Sequence, residues 1–504
     1  MILSRRSLLA SIFIGADVAS RSASKTRGAN FRNQLIEIAS NYKLINVRQF
    51  GAHGDGISDD TVIIQDLDAM ANSSGKCLYF PAGTYLINPL RIQSSWIGDG
   101  SSKTIIKYLG REARSESFVS VSLIDNVLFC DICFDGSASS DPINWDGSNF
   151  DRFSGASGLS IEVCRNAKVI RCAARNMVGH GIRMLKVQNG CISDCEVSRC
   201  RGKFGDGIIM LSCEEIDVRD CHVRDYTRIG IVADRTDRTE PLCRAIDIFR
   251  CSADNGHNSS ALYGGTEFNA GVWIENCVDA VVKRVKVTNN THRGISVCSG
   301  QFSDEAKNDI SRIFITECIV AGCVFGICTY SLIDIPVMVS MNRCRVSQSV
   351  IAFQGACETP NDIISWRNCY AEYDAAVSNG RGFAVEVVKP LDDLPKFLVG
   401  EGCVVTRSRT DYNLLNDNGS LAVTSDIGAF FTSEGPMNLV VRGVKELNGE
   451  AIHIRWNKKF SHQIQIENTA AVISCDPRFR PLVESSAGSV RFIPDCPQIS
   501  PSSF

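Results

Sequence analysis

The chain has 504 residues, a net charge of −3 and 22% charged residues. No strongly basic field is available to hold nucleic acid. Its 23 cysteines fall short of the density of a disulfide-built scaffold.

Residues 1–30 read as a targeting segment. Ser4-Arg5-Arg6-Ser7-Leu8-Leu9 resembles the twin-arginine export motif, and the apolar run from Leu8 to Ile14 is too short to span a bilayer. A chance double arginine in a general secretory signal would also mean export. The expected location is periplasmic or extracellular, and no later segment has the length of a membrane span. Residues 31–42 read as a short amphipathic helix.

From Asn46 the sequence runs to a strand ending at Phe50 and a glycine-rich turn. A helix through Ile63, Ile64, Leu67 and Met70 follows, capped by Asp59 or Asp60 and stopped at Ser73-Ser74-Gly75. Lys76 to Ile87 is strand, turn at Pro81–Gly83, strand. The acids of Gly54-Asp55-Gly56-Ile57-Ser58-Asp59-Asp60 read as turn and cap residues in preference to metal ligands. The run Val47-x-x-Phe50-Gly51-Ala52-x-Gly54-Asp55-Gly56-x-Ser58-Asp59-Asp60-Thr61, continued by Phe80-Pro81-Ala82-Gly83-Thr84-Tyr85, resembles the opening of the pectate-lyase-like superfamily. That group includes rhamnogalacturonase- and polygalacturonase-type hydrolases, mannuronan epimerases and phage tailspikes. The resemblance covers residues 46–108 and implies a right-handed parallel β-helix, an all-β solenoid, with the helix at 60–73 over its first coil. A cap is also expected physically, since a bare first rung leaves backbone groups unpaired.

Residues 109–412 read as the coils. Gly181-Ile182, Gly207-Ile208, Gly230-Ile231, Gly271-Val272, Gly294-Ile295 and Gly326-Ile327 each open a short alternating strand, in a unit of about 23 residues with insertions. Cys164 and Cys172, Cys213 and Cys221, and Cys243 and Cys251 recur eight residues apart, and Val187 and Val285 take equivalent positions. Cysteine that exchanges with valine is a small buried hydrophobe. Stacked coils would lie within disulfide reach, but most of these thiols are expected free. Cys130-Asp131-Ile132-Cys133 lacks the partners of a zinc site and reads as core. Residues 413–493 are either last coils or a small C-terminal β region, and 494–504 a disordered tail.

Positions one and three after each glycine are apolar in all but the last of these strands, where Thr329 stands, so they face inward; positions two and four face outward. On the outer face Asp234 and Glu275 occupy one column on adjacent coils, where backbones lie roughly 5 Å apart. Such a pair can share a proton, hold a divalent cation such as calcium, or act as acid and nucleophile on a sugar. Trp273 is placed beside them as a stacking platform. Asp206, His180 and Arg183 fall on the same face as further catalytic candidates, with Arg293, His292 and Tyr330 as candidate substrate contacts. Insertions at Arg235–Glu240 and His257–Glu267 would wall a cleft around this strand. An ordinary solvated face, with acids balancing Arg183 and Arg293, is the competing reading.

Gly179-His180-Gly181 is similar to the glycine-histidine-glycine of polygalacturonase-like hydrolases, but here the histidine precedes the acids and no Arg-x-Lys follows. Gly230-Ile231-Val232-Ala233-Asp234 resembles an epimerase coil, Gly-Phe-Val-Ala-Asp, which supports Asp234. The expectation is an exported β-helix that cleaves an acidic or complex polysaccharide by lyase or glycosidase chemistry. The alternative is a non-catalytic β-helix that binds glycan or serves as a scaffold.

Overall fold

The structure is a computed structural model. It describes residues 43–110, 117–137, 157–257 except 203 and 238, 269–299, 311–331 and 337–357, and the strands with their flanks from 362 to 494. The targeting segment, the helix expected over 31–42, most of the loop after Gly136 and the tail lie outside the described residues.

Most coils supply three strands, and each strand pairs in parallel with its counterpart one coil away. The first face is a 16-stranded sheet that begins with Leu44–Asn46, Cys77–Phe80 and Trp96–Gly98 and ends with Gln463–Glu467 and Leu482–Ser486. The second begins at Asp55–Asp59 and includes Ala173–Val178, Glu196–Arg201 and His222–Tyr226. The third begins at Leu90–Ile92 and includes His180–Leu185, Ile208–Leu211, Ile229–Asp234, Ala270–Glu275 and Arg293–Ser299. Ile319–Ser331 and Arg345–Cys357 run through the bend between the second and third faces. The result is a right-handed parallel β-helix. Strands beyond residue 420 stay in the same ladders: Ala429–Glu434 pairs with Arg381–Val387, and Val490–Pro494 with Ala471–Cys475. No helix among the described residues is long and apolar enough to cross a membrane.

The repeated glycine opens the third face because a side chain has no room there. A Cβ on Gly207 would lie 2.2 Å from Cγ1 of Val223 and 2.6 Å from the carbonyl oxygen of Gly230. Gly271, Gly294 and Gly326 meet Val287, Val320 and Val346 in the same way. The valine of the second face packs over the bend, and only a bare backbone admits it.

The inward residues one and three after each glycine stack in register: Ile182, Ile208, Ile231, Val272, Ile295 and Ile327 form one row. These side chains are fully buried. Before and after the first-face strand, a single residue in the left-handed region turns the chain; Val163, Arg171, Asp194, Asp220 and Arg250 have φ of 50–54°. The column cysteine follows that residue. Its thiol lies against the carbonyl two residues back: Cys195 to Ser193 at 3.2 Å, Cys213 to Leu211 at 3.3 Å, Cys221 to Arg219 at 3.3 Å, Cys277 to Glu275 at 3.2 Å. Cysteine therefore does more than fill space at these turns, since its weak donor meets an oxygen that a tight turn leaves exposed to the core. Every cysteine whose side chain is described is free and buried. Cys130 and Cys133 are both buried, and Cys130 sits in a small cluster with Leu128 and Ile170.

At the first coil the chain differs in detail from expectation. The first strand is Leu44–Asn46, Val47–Phe50 is a 3-10 turn, and Asp55–Asp59 is itself a strand. The acids take backbone donors. Asp60 accepts from the N–H groups of His53 at 2.7 Å and Gly54 at 2.9 Å, and Asp55 from those of Ile57 and Ser58. Asp60 holds the N-cap position of the helix Thr61–Ser74 without capping it by its side chain, and Asp59 accepts from Thr61 instead. Gly75 ends the helix in the left-handed conformation. Buried Asp68 fastens the helix to the coil below by accepting from the indole N–H of Trp96 at 3.0 Å and from the backbone N–H of Gln93 at 2.6 Å.

Candidate functional site

The backbone register places Asp234 and Glu275 side by side. Ala233 pairs with Ile274, and both strands run one residue further. Along the same outer column Asp234 follows Leu211, and Glu275 is followed by Cys298. The next column is Ile209, Val232, Trp273 and Ser296. Ile209, Val232, Trp273 and Cys298 are all 4% exposed or less and form an apolar cluster with Ile229 and Ala270. Two acids thus stand at the margin of an apolar strip, where water is scarce.

That setting controls the proton on Asp234. Burial, reinforced by the charge of Glu275, pushes its carboxyl up to about 7 against hydrogen bonds from Asn276 and the backbone of Arg235. Oδ1 accepts the side-chain amide of Asn276 at 2.7 Å and the N–H of Arg235 at 2.7 Å. Glu275 accepts the indole N–H of Trp273 at 2.8 Å. Two adjacent carboxyl groups, each held by its own donor and one poised near neutrality, have the arrangement that acid/base chemistry requires.

Trp273 does not lie open as a platform. Its side chain is buried, and the Arg293 guanidinium stands 5.4 Å from its ring centroid. The same guanidinium lies 6.0 Å from the ring of Phe325. His292 is buried with its ring 5.1 Å from that of Phe325. Tyr330 pairs with Cys298 in backbone register; its side chain lies outside the described residues.

Asp206 and His180 form a second group at the bend into the third face. Asp206 is fully buried. Its Oδ2 lies 3.0 Å from Arg228 Nη1 and 3.1 Å from His180 Nδ1, and its Oδ1 accepts from the N–H of Ile229 at 3.1 Å. The His180 nitrogen is close to the Asp206 carboxyl without the alignment of a full hydrogen bond. Burial pushes the Asp206 carboxyl up, but the Arg228 guanidinium, His180 and the Ile229 N–H outweigh it and hold it below the usual range. Arg183 lies on the third face two coils before Asp234 and pairs with Glu162 at 3.0 Å. The structure therefore joins Asp234 with Glu275 and Trp273 with Arg293, and gathers His180 with Asp206 separately.

Sequence reasoning missed Asn276 and Arg228. An asparagine between two strands is a signal for a left-handed turn, and Asn276 has φ of 50°. That conformation turns its amide toward the neighbouring coil. Arg228 carried no motif; only the fold brings it to Asp206. Among the described residues, no group of three or more His, Cys, Asp or Glu is arranged to hold a metal ion. A surface cavity of about 530 Å³ lies at earlier turns, between Leu123, Asp125, Val163 and Lys186, and does not include the acid pair.

A family model described as rhamnogalacturonase A/epimerase, pectate lyase-like, matches residues 44–258. With the three-ladder coil it supports placing the chain among the pectate-lyase-like β-helix proteins. A probable glucan endo-1,3-beta-glucosidase of Arthroderma benhamiae is 32% identical over 123 residues, 22% of this chain and 12% of that protein. Mannuronan C5-epimerase AlgE1 of Azotobacter vinelandii is 29% identical over 153 residues, 27% of this chain and 11% of that protein. The chain thus spans only about a tenth of the length of these two relatives. Among solved structures, the A-module of mannuronan C-5 epimerase AlgE4 from Azotobacter vinelandii aligns with a TM-score of 0.47 at 14% identity, covering 89% of this chain and 100% of that one.

Proposed function

We propose that the protein is an exported polysaccharide-active enzyme whose acid/base pair is Asp234 and Glu275. The observation that carries this reading is their adjacency on neighbouring coils, with the Asp234 carboxyl raised to about 7. An acid still protonated near neutral pH can give its proton to a glycosidic oxygen as the bond to the anomeric carbon breaks. Glu275 then meets the anomeric carbon as a carboxylate, water releases the sugar, and the proton from water returns to Asp234. The coil spacing of about 4.8 Å suits a retaining geometry. Sugar hydrolysis fits the pair better than uronate elimination, which needs a strong base beside the uronate carboxylate. The family match and the curated glucanase and epimerase relatives support carbohydrate as the substrate class. Arg5 and Arg6 support export by the twin-arginine route, which carries folded proteins and suits a core of free thiols.

A second reading follows from the burial of Trp273, which leaves the acid pair without the open stacking platform expected beside it: a non-catalytic β-helix that binds glycan elsewhere on its surface or serves as a scaffold. Incubating the purified chain with a panel of polysaccharides separates the two. The enzyme reading expects new reducing ends, lost by at least 100-fold in the Asp234→Asn/Glu275→Gln double variant. Equal cleavage by that variant would remove the pair from the chemistry. Binding without cleavage across the panel would favour the second reading.

A further inference from the structure

We propose that the second face carries a serine nucleophile, Ser252, with His222 as its base, and that the pair removes ester-linked acyl groups from a glycan. The site lies on a different face from Asp234 and Glu275. Only the choice of a glycan as the acyl carrier rests on the reading above.

Register builds the site. The strands Ser252–Asp254 and Lys286–Thr288 continue the second face after His222–Tyr226. Glu196 pairs with His222, His222 with Ser252, and Ser252 with Lys286. The next residue of each strand, Val197, Val223, Ala253 and Val287, is buried, so alternation turns this column outward. Glu196, His222 and Lys286 are exposed, and Ser252 is half-buried. Four consecutive coils therefore present an acid, an imidazole, a hydroxyl and an ammonium in one line, at a backbone spacing of roughly 4.8 Å. Nδ1 of His222 lies 3.0 Å from Oγ of Ser252. Nucleophilic catalysis needs that contact and that order: base beside hydroxyl, acid behind the base, cation beyond the hydroxyl.

Oγ of Ser252 attacks the carbonyl carbon of the ester as its proton passes to Nδ1 of His222. Lys286, one coil on, supplies positive charge for the carbonyl oxygen that becomes an oxyanion. The bond from that carbon to the sugar oxygen breaks, and His222 gives the proton to the leaving alkoxide. Water then attacks acyl-Ser252 and lends a proton to His222, which passes to Oγ as the carboxylic acid leaves. For Ser252 to donate, Nδ1 must hold the lone pair and Nε2 the hydrogen. A carboxylate behind the ring favours that tautomer, and Glu196 has this place in the column as a positioning residue. The column is open to solvent and runs along the coil axis. That suits a pendant acyl group on a long chain, and an ester in preference to an amide, whose poorer leaving group needs more help than an open site provides.

The test has two arms on the full chain. Acetylated xylan, mannan and pectin are supplied and free acetate is measured, a readout separate from reducing ends. In parallel a fluorophosphonate, which phosphorylates an activated serine, is added and the labelled residue is found by peptide mass spectrometry. Acetate release from at least one polymer and label on Ser252 are expected. Ser252→Ala and His222→Gln should each lower acetate release at least 100-fold, and His222→Gln should slow labelling as much, in line with the worth of a general base of about 10²–10⁴. Glu196→Gln should slow both reactions about tenfold and Glu196→Asp should restore part of each, a rescue that a merely structural role does not give. The side chains are at the surface, so the variants should keep the wild-type Tm. Acetate released equally by Ser252→Ala overturns the proposal, as does a chain that releases no acetate and takes no label at Ser252. Label at Ser252 that needs His222, without acetate release, keeps the nucleophile and overturns the acetylated glycan as its substrate.

Discussion

Asn276 gives its side-chain amide to Oδ1 of Asp234 from the neighbouring coil, at 2.7 Å. The donor steadies the charged form of the acid, so it opposes the upward push of burial and of Glu275. Asn276→Gly removes the amide and keeps the left-handed turn, which glycine adopts freely. The Asp234 carboxyl should then rise above its value of about 7. If Asp234 is the general acid, the alkaline limb of the pH–rate profile moves upward by roughly half a unit to one unit, with hydrogen bonds to charged groups worth ~1.5–3 kcal/mol before solvent screening. A profile that keeps its alkaline limb would separate Asn276 from the acid's proton.

The same raised carboxyl costs stability. Its folded-state value is about 7 and its ordinary value 3.8. The folded protein therefore binds the proton more tightly than the unfolded chain between these two pH values, and stability falls as pH rises through that window. Asp234→Asn removes the liability. The variant should be more stable than wild type at pH 8, by on the order of 2 kcal/mol, and the gap should close below pH 4. Urea melts at several pH values measure it, and a pH-independent gap would contradict the assignment.

The fold was legible because the period of the glycines and cysteines is the period of the coil. The inward row Ile182, Ile208, Ile231 and Val272 could be read from alternation alone. The site was half legible. Register is arithmetic, so the Asp234–Glu275 column followed from counting after each glycine. Side-chain engagement is not arithmetic: Trp273 looked like a platform until Arg293 was found against its ring. Asp206 looked like an open acid until Arg228, 22 residues on, was found beside it. Contacts between coils depend on which way a turn sends its side chain, and no spacing in the sequence encodes that.

Asp206 holds the bend into the third face by keeping Arg228, His180 and the N–H of Ile229 together around its fully buried carboxyl group. Its lowered carboxyl contributes stability above pH 3.8 that is lost as pH falls through the lowered value. Asp206→Asn removes the charge and leaves Arg228 facing a neutral amide. Breaking a buried pair in this way costs about 3–5 kcal/mol, so a large drop in Tm is expected. Activity per folded molecule should change far less than in Glu275→Gln. If Asp206→Asn instead keeps its Tm and loses activity, the residue belongs to the chemistry and not to the bend.

A Cβ added at Gly207 would meet a valine methyl at 2.2 Å and the backbone oxygen of Gly230 at 2.6 Å. Its φ is not in the left-handed region, so the cost of a side chain here is steric and not conformational. Gly207→Ala should destabilise by about 2–3 kcal/mol, the upper part of the range for overpacking a core. Val223→Ala on its own should cost about 1–2 kcal/mol as a cavity. In the double variant the valine methyls are gone and one of the two clashes is relieved, so the combined loss should fall short of the sum by about 1 kcal/mol. The backbone oxygen of Gly230 cannot be deleted, and full rescue is not expected. Additive losses in urea melts would place the strain of Gly207→Ala wholly on that oxygen and would mean that the valine over the bend does not dictate the glycine repeat.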